Sequence, residues 1–242
     1  DLDGSTGYLA HTLATAQTSF AQISFSWLQY SDANGQYRGP WIIGDTTGLG
    51  VHMEYDDTWG YVFVGDWTTQ GKWSIAKPAN GAWNQIGVTY DTGATTNDPL
   101  IYLNGVSQSI TERVAPVGTV TINRTALEIG SRHGAGDVFT PFFDGRIAEF
   151  SVFNRLLTAG EMLGLGKGFS PLFYNPKVYV PIIGRTSPEV ELMAGSNGTV
   201  NGTASVIAHP PIIYTGLEHI KFETATPVAT NSALRMMLGM GL

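Results

Sequence analysis

Cysteine is absent from the 242-residue chain. That excludes disulfide staples, thiolate metal sites and a cysteine nucleophile, but leaves the compartment open, because a chain of this length buries a core without covalent help. Charge is scarce as well: 14% of residues are Asp, Glu, Lys or Arg, against roughly a quarter in ordinary domains. Basic residues are the scarcer sign, with 13 Lys and Arg against 20 acids and a net charge of −7. A nucleic-acid surface needs clustered cations to displace counterions, so no nucleic-acid partner is expected. No apolar run approaches the ~18 residues that span a bilayer, so no membrane insertion is expected. No basic-then-apolar leader is visible at the amino end, which starts at Asp1.

What is present has the composition of a β protein. Thirty glycines, many Thr and Ser, and 11% aromatic residues suit short strands joined by tight turns. Alternation with period two recurs between Gly, Asn and Asp clusters. In "FAQISFSWLQY", Ile23, Phe25 and Trp27 share one face and Ser24 and Ser26 the other. "VHMEYDDTWGYVFVGDW", residues 51 to 67, reads as a hairpin with its turn at "DDTWG". Its register makes Tyr61, Phe63 and Trp67 core candidates and leaves Trp59 at the tip. Asn104-Gly105 in "LIYLNGVSQSI" suits a two-residue hairpin turn, since both residues tolerate positive φ. One helix is signalled: Thr158 as N-cap and Glu161 three residues later form a capping box, with Gly164, Gly166 and Gly168 expected to end it. The fold class is therefore all-β, a two-sheet antiparallel jelly-roll sandwich with one short helix.

The order of "LDGSTGYL", "WNQIGVTYD", "PLIYLNGV", "LEIGSR" and "FFDGRIAEFSVFNRLLTAGEM" resembles laminin-G-like domains of the concanavalin A-like lectin/glucanase superfold. The last stretch, similar to the family's closing strand and small helix, is the most specific. The resemblance implies a sandwich over residues 1–168. Downstream, "VYVPIIG" and "VELMAGSNGTVNGTA" look like strands that normally open such a domain. This suggests a circular permutation in which residues 169–211 complete the sandwich edge. Residues 212–242 form a third segment whose end is apolar: Leu234, Met236, Met237, Leu238, Met240 and Leu242. An exposed tail of this kind invites aggregation, so it is expected to dock, on its own sandwich or in a larger assembly.

Glucanases of the superfold place carboxylates on alternate positions of one strand as Glu-x-Asp-x-x-Glu, flanking the scissile bond. Here Glu54 and Asp56 match the first two positions, but the third is Trp59. No catalytic residue is therefore expected. His52 and Glu54 share a strand face and read as a surface ion pair; Arg132 and His133 in "SRHGAG" read as a loop rather than a lyase site. The histidines at 11, 52, 133, 209 and 219 show no metal-ligand spacing. No cofactor is expected, with calcium the one metal the resemblance suggests. The matching segments offer Asp3, Asp144 and Glu149 as oxygen ligands, although "GRIAE" has Ala148 where the family's closing pattern carries Asp. For sugar binding, which pairs an indole face with planar hydrogen-bonding groups, the candidates are Asp56, Asp57, Trp59, Asp66 and Trp73.

The expected function is a non-enzymatic, lectin-like structural or binding module. Its permuted ending and apolar tail look like those of phage-type proteins, which implies a virion surface component, a capsid decoration or fibre, with a glycan as ligand. The expected partners are further copies of the chain or a capsid lattice, and the expected location is the virion surface or extracellular. The alternatives are a secreted glycan-binding or adhesion module of a cellular organism, and a hydrolase or polysaccharide lyase of the same fold. Removal of residues 212–242 is expected to abolish assembly while the sandwich stays folded, a change that light scattering on a sizing column measures directly; an unchanged mass refutes the assembly role.

Overall fold

A computed structural model describes residues 2–13, 21–33, 35, 37–44, 50–120, 125–131, 142–183, 188–193, 197–205, 207–214 and 217–220. Strands are numbered in chain order. One sheet of seven strands runs β1 (Leu2–Asp3), β15 (Asp144–Phe153), β3 (Gln22–Ala33), β9 (Trp83–Asp91), β10 (Leu100–Leu103) and β11 (Val106–Ser107), with β16 (Val178–Val180) also paired to β15. The eight-stranded sheet runs β12 (Thr111–Val114), β8 (Gly71–Ile75), β6 (Gly60–Gly65), β5 (Gly50–Asp56), β4 (Trp41–Gly44), β14 (Ala126–Ile129), β2 (Tyr8–Thr12) and β17 (Thr199–Asn201). Two small pairs, β13 (Val117–Val120) with β7 (Trp67–Thr69) and β18 (Ile212–Tyr214) with β19 (Leu217–Ile220), complete the set. Every strand pairing in both sheets is antiparallel.

The sheets stack because their alternating apolar residues meet. Phe25, Trp27, Ile86 and Val88 of one sheet and Trp41, Met53, Phe63 and Trp73 of the other belong to a single buried cluster. Trp41 stacks on Phe25 at 4.7 Å and meets Trp27 edge-on at 5.3 Å. Tyr90 lies edge-on to Trp73 at 5.2 Å and accepts a hydrogen bond from Trp67 Nε1 at 2.8 Å. Such aromatic pairs add ~0.5–1.5 kcal/mol beyond their area burial.

At the centre of this apolar layer sits one amide. Gln29 is fully buried. Its Oε1 accepts from Trp27 Nε1 at 2.7 Å and from Tyr61 OH at 2.6 Å, while Nε2 donates to Tyr55 OH at 2.9 Å. Ser31 Oγ lies 2.7 Å from the same Tyr55 hydroxyl. The network joins β3 to β5 and β6 across the sandwich. Burial pushes the Tyr55 phenol up to about 12, and its hydrogen bonds to Ser31 and Gln29 only partly offset the shift.

The small helix α1 (Ala159–Gly166) has the capping box read from the sequence: Glu161 N donates to Thr158 Oγ1 and Thr158 N donates to Glu161 Oε2. Arg155 adds a fork to the same carboxylate, at 2.9 and 2.6 Å. The helix continues through Gly164 and ends at Gly166 rather than stopping at the first glycine. Gly166 serves packing: a Cβ there would lie 2.5 Å from the backbone at Asn104 and Gly105. Those two residues form the expected tight turn, at φ of 52° and 77°, and bring Leu103 opposite Val106.

Beyond the helix the chain returns to both sheets. β16 pairs with Phe150–Val152 of β15 while β1 pairs with Asp144 and Gly145, so the two lie end to end along one side of that strand. β17 closes the edge of the other sheet against β2. Ile212 is buried, and Ile213 bridges to Phe169 and exchanges backbone hydrogen bonds with Gly168 and Ser170. A truncation that leaves this docking intact therefore falls after Ile220, not after Pro211. The apolar residues Leu234 to Leu242 lie outside the described residues, as do Arg132 and His133. Among the described residues no helix is long and apolar enough to cross a membrane.

Gln29→Leu keeps the volume but strands three buried donors and acceptors. It is expected to cost about 2–4 kcal/mol, measured as a lowered urea midpoint; a loss below about 0.5 kcal/mol would show that the network is dispensable.

Candidate functional site

The β5–β6 hairpin ends in the turn Asp57–Trp59, with Asp56 opposite Gly60. Asp56 Oδ1 accepts from Thr58 N at 2.8 Å and Trp59 N at 2.7 Å, an Asx turn that fixes the tip. Trp59 is half-buried. It lines a pocket of about 330 Å³ together with Asp57, Ser74, Lys77, Thr111 and Arg113. Register puts Thr111 of β12 directly opposite Ser74 of β8. Arg113 Nε donates to Ser74 Oγ at 2.8 Å and Nη2 reaches Trp59 O at 3.5 Å. Lys77 Nζ pairs with Asp57 Oδ1 at 3.2 Å, and Lys72 Nζ lies 5.9 Å from the centroid of the Trp59 ring. The pocket thus combines an indole wall, hydroxyls and fixed charges.

Three of the five sugar-site candidates, Asp56, Asp57 and Trp59, come together here. The other two do not. Trp73 is fully buried in the sandwich, its Nε1 donating to Asp98 Oδ1 at 2.7 Å, and Asp66 is 3% exposed. Trp73 falls on the inward side of β8, where a large ring gains most from burial, and Asp66 is buried in the link between β6 and β7. The pocket residues that sequence reasoning missed are Ser74, Lys77, Thr111 and Arg113. They lie 15 to 54 residues from Trp59, on β8 and β12 or just after β8, and no local pattern reveals the pairing order of those strands.

His52 and Glu54 are neighbours, Nε2 to Oε2 at 3.5 Å, but they are buried rather than on the surface, each 2% exposed. The flanking Ile42, Val62 and Val64 are equally inaccessible. Asp56 points into its own turn. Glu54 and Asp56 therefore do not form an open carboxylate pair of the kind that flanks a scissile glycosidic bond.

The proposed calcium ligands are also separated. Asp144 pairs with Arg38 Nη1 at 3.2 Å. Glu149, five residues along β15 and so about 16 Å away, is buried at φ 57° where the β15–β3 register shifts. Asp3 sits opposite Asp144 by backbone pairing, and its side chain lies outside the described residues. These donors do not fit one cation. Among the described residues no group of three or more His, Cys, Asp or Glu could hold a metal ion.

A family search places residues 3–162 in the family described as the concanavalin A-like lectin/glucanases superfamily, in its laminin-G form. The chain belongs to the concanavalin A-like lectin/glucanases superfamily. No functionally curated protein matches it. Among solved structures, a candidate carbohydrate-binding protein of Bacteroides ovatus is 17% identical, with a TM-score of 0.59 over 88% of this chain and 62% of that one. Domain 4 of AbnA, a GH43 extracellular arabinanase of Geobacillus stearothermophilus solved with arabinotriose, is 19% identical, with a TM-score of 0.50 over 68% of this chain and 74% of that one. The heptameric SAP-like pentraxin of Limulus polyphemus is 11% identical, with a TM-score of 0.50 over 66% and 75%. Identities this low show a shared fold alone. The chain spans under two thirds of the Bacteroides protein.

Within this superfamily member, Glu149 belongs to a buried polar knot that ties in the carboxyl-terminal arm. Its Oε2 accepts from Tyr179 OH at 2.7 Å, and Tyr214 OH lies 3.5 Å from that hydroxyl. His209 Nε2 is 3.1 Å from Pro181 O and 3.2 Å from Glu149 Oε1, while Nδ1 is 2.8 Å from Pro210 O. Pro181 O and Pro210 O can only accept, so an imidazolium, with a proton on each ring nitrogen, satisfies both contacts and a neutral ring satisfies one. Burial alone pushes its pKa down, but the Glu149 carboxylate and the two backbone carbonyls outweigh burial and raise it above the ordinary histidine value. The stabilisation is fully present below the unfolded histidine pKa and is lost as pH rises through the raised folded value. Stability to urea is therefore expected to fall as pH rises above the ordinary histidine value and through the raised folded one, and His209→Gln to flatten that slope; an identical slope in the variant would overturn the assignment of a protonated His209.

Proposed function

We propose that this chain is a non-catalytic carbohydrate-binding module whose sugar sits in the Trp59 pocket. The half-buried indole beside hydroxyls and planar hydrogen-bonding groups is the observation that carries the reading. An indole face takes the apolar side of a pyranose, while Ser74, Thr111, Asp57 and Arg113 supply directional partners. The likeness to a Bacteroides carbohydrate-binding candidate and to an arabinanase domain solved with arabinotriose supports a glycan as ligand. The engagement of Glu54 with His52 and of Asp56 with its turn supports binding without cleavage.

The finer reading is a circularly permuted module on a phage particle, with the apolar residues Leu234 to Leu242 as the assembly element. Two features support it: the carboxyl-terminal strands β16 and β17 complete both sheets, and the chain after Ile220 is rich in Leu and Met. A secreted adhesion module uses the same pocket and differs in what the tail contacts.

Trp59→Ala is expected to weaken binding on a glycan array, followed by titration calorimetry, at least about tenfold, or ~1.4 kcal/mol. Trp59→Phe should recover part of the affinity, and urea unfolding should show both variants folded. Binding that survives Trp59→Ala unchanged would place the ligand elsewhere. Turnover of a polysaccharide that disappears in Glu54→Gln would overturn the non-catalytic reading.

A further inference from the structure

We infer that the ligand of the Trp59 pocket is an acidic saccharide, a sugar unit carrying a carboxylate. This rests on the reading of the pocket as a glycan site and goes beyond it by naming the ligand's charge. The chain as a whole carries −7, with 13 Lys and Arg among 242 residues. Three of those 13, Lys72, Lys77 and Arg113, gather around one indole. The acids at the same place are Asp56, whose Oδ1 is held by two backbone N–H groups, and Asp57, whose Oδ1 pairs with Lys77. The local balance is therefore positive on a protein that is negative overall.

Arg113 gives this charge a shape. Its guanidinium is anchored through Nε to Ser74 Oγ and through Nη2 to Trp59 O. Those two contacts fix the guanidinium plane beside the indole. Of its five N–H groups, three have no partner among the described residues. A planar fork held in place is the donor that matches a carboxylate through two parallel hydrogen bonds. A neutral sugar would desolvate the fork without returning comparable bonds. A uronic acid satisfies both halves of the pocket at once, with the carboxylate on Arg113, the ring face on Trp59 and hydroxyls towards Ser74 and Thr111. Lys77, part-exposed at 27% and already shared with Asp57, acts as a movable second charge.

The test is titration calorimetry of the full chain with oligosaccharides of glucuronic, galacturonic and mannuronic acid and with their carboxyl-reduced counterparts. At least one uronate is expected to bind tenfold or more tightly than its reduced form, with affinity falling between 50 and 500 mM salt on the order expected for part-exposed charges. Arg113→Gln is expected to bring the ratio of acid to reduced-form affinity close to one, weakening the uronate far more than the reduced sugar, and Trp59→Ala to weaken both while keeping the ratio. Arg113→Lys should restore less than the native preference, because a point charge lacks the fork. Equal binding of acid and reduced forms overturns the inference and leaves the Trp59 sugar site standing. Preference for a sulfated neutral sugar over every uronate overturns the carboxylate assignment. No binding of any sugar, or binding indifferent to Trp59→Ala, overturns the site reading itself.

Discussion

The structure depends on keeping one buried amide satisfied. Gln29 has no exposure, and its oxygen and nitrogen take Trp27, Tyr61 and Tyr55 as partners from both sheets. An unpartnered amide in that layer would cost several kcal/mol, so only one registration of the sheets is low in energy. Apolar packing alone tolerates slippage; three hydrogen bonds to a single side chain do not. Tyr55 and Tyr61, 4.5 Å apart across the β5–β6 hairpin, are held by that amide. Because side chains alternate along a strand, fixing these two inward also fixes the opposite face and aims the turn carrying Trp59.

Several acids of this acidic chain serve as internal fasteners. Glu191 Oε1 accepts from the backbone of Tyr179 and Met193, Glu189 Oε1 accepts from Ile183, and Glu149 holds Tyr179 and faces His209. All three are nearly inaccessible. Glu149 ties the segment after the helix to β15 beside the buried Val178 and Val180, while Glu189 and Glu191 brace that segment internally. Glu161, drawn down to about 2 chiefly by the Arg155 fork, does the same for the helix start. Around Trp59 three cations stand beside two acids, so the electrostatic character there departs from that of the whole chain.

Much of the fold was legible in the sequence because its signals are local. Period-two alternation located Ile23, Phe25 and Trp27 in the core; Asn104-Gly105 announced its turn; Thr158 and Glu161 announced the helix. The site was half legible. Trp59 stood out because a hairpin tip lies outside the alternation that buries its neighbours. Trp73 and Asp66 were misplaced because proximity in sequence to Trp59 does not state which face a residue takes. Glu54 and His52 looked solvated because a polar pair on one strand face gives no sign of what covers it.

The sequence by itself determined the class of architecture, the family, the position of the hairpin and the absence of thiol chemistry, since each follows from residue type or from spacing within a few positions. The tertiary structure decided which carboxylates are buried, that the Trp59 indole stays half-exposed and which cations stand beside it. Those are properties of strand order, and strand order depends on long-range burial and on the one arrangement that satisfies Gln29. Arg113 reaches Ser74 and Trp59 only because β12 and β8 lie side by side, with β6 beyond them. A contact across 54 residues leaves no trace in local pattern, and the charge and shape of the pocket are therefore outcomes of folding rather than of any motif.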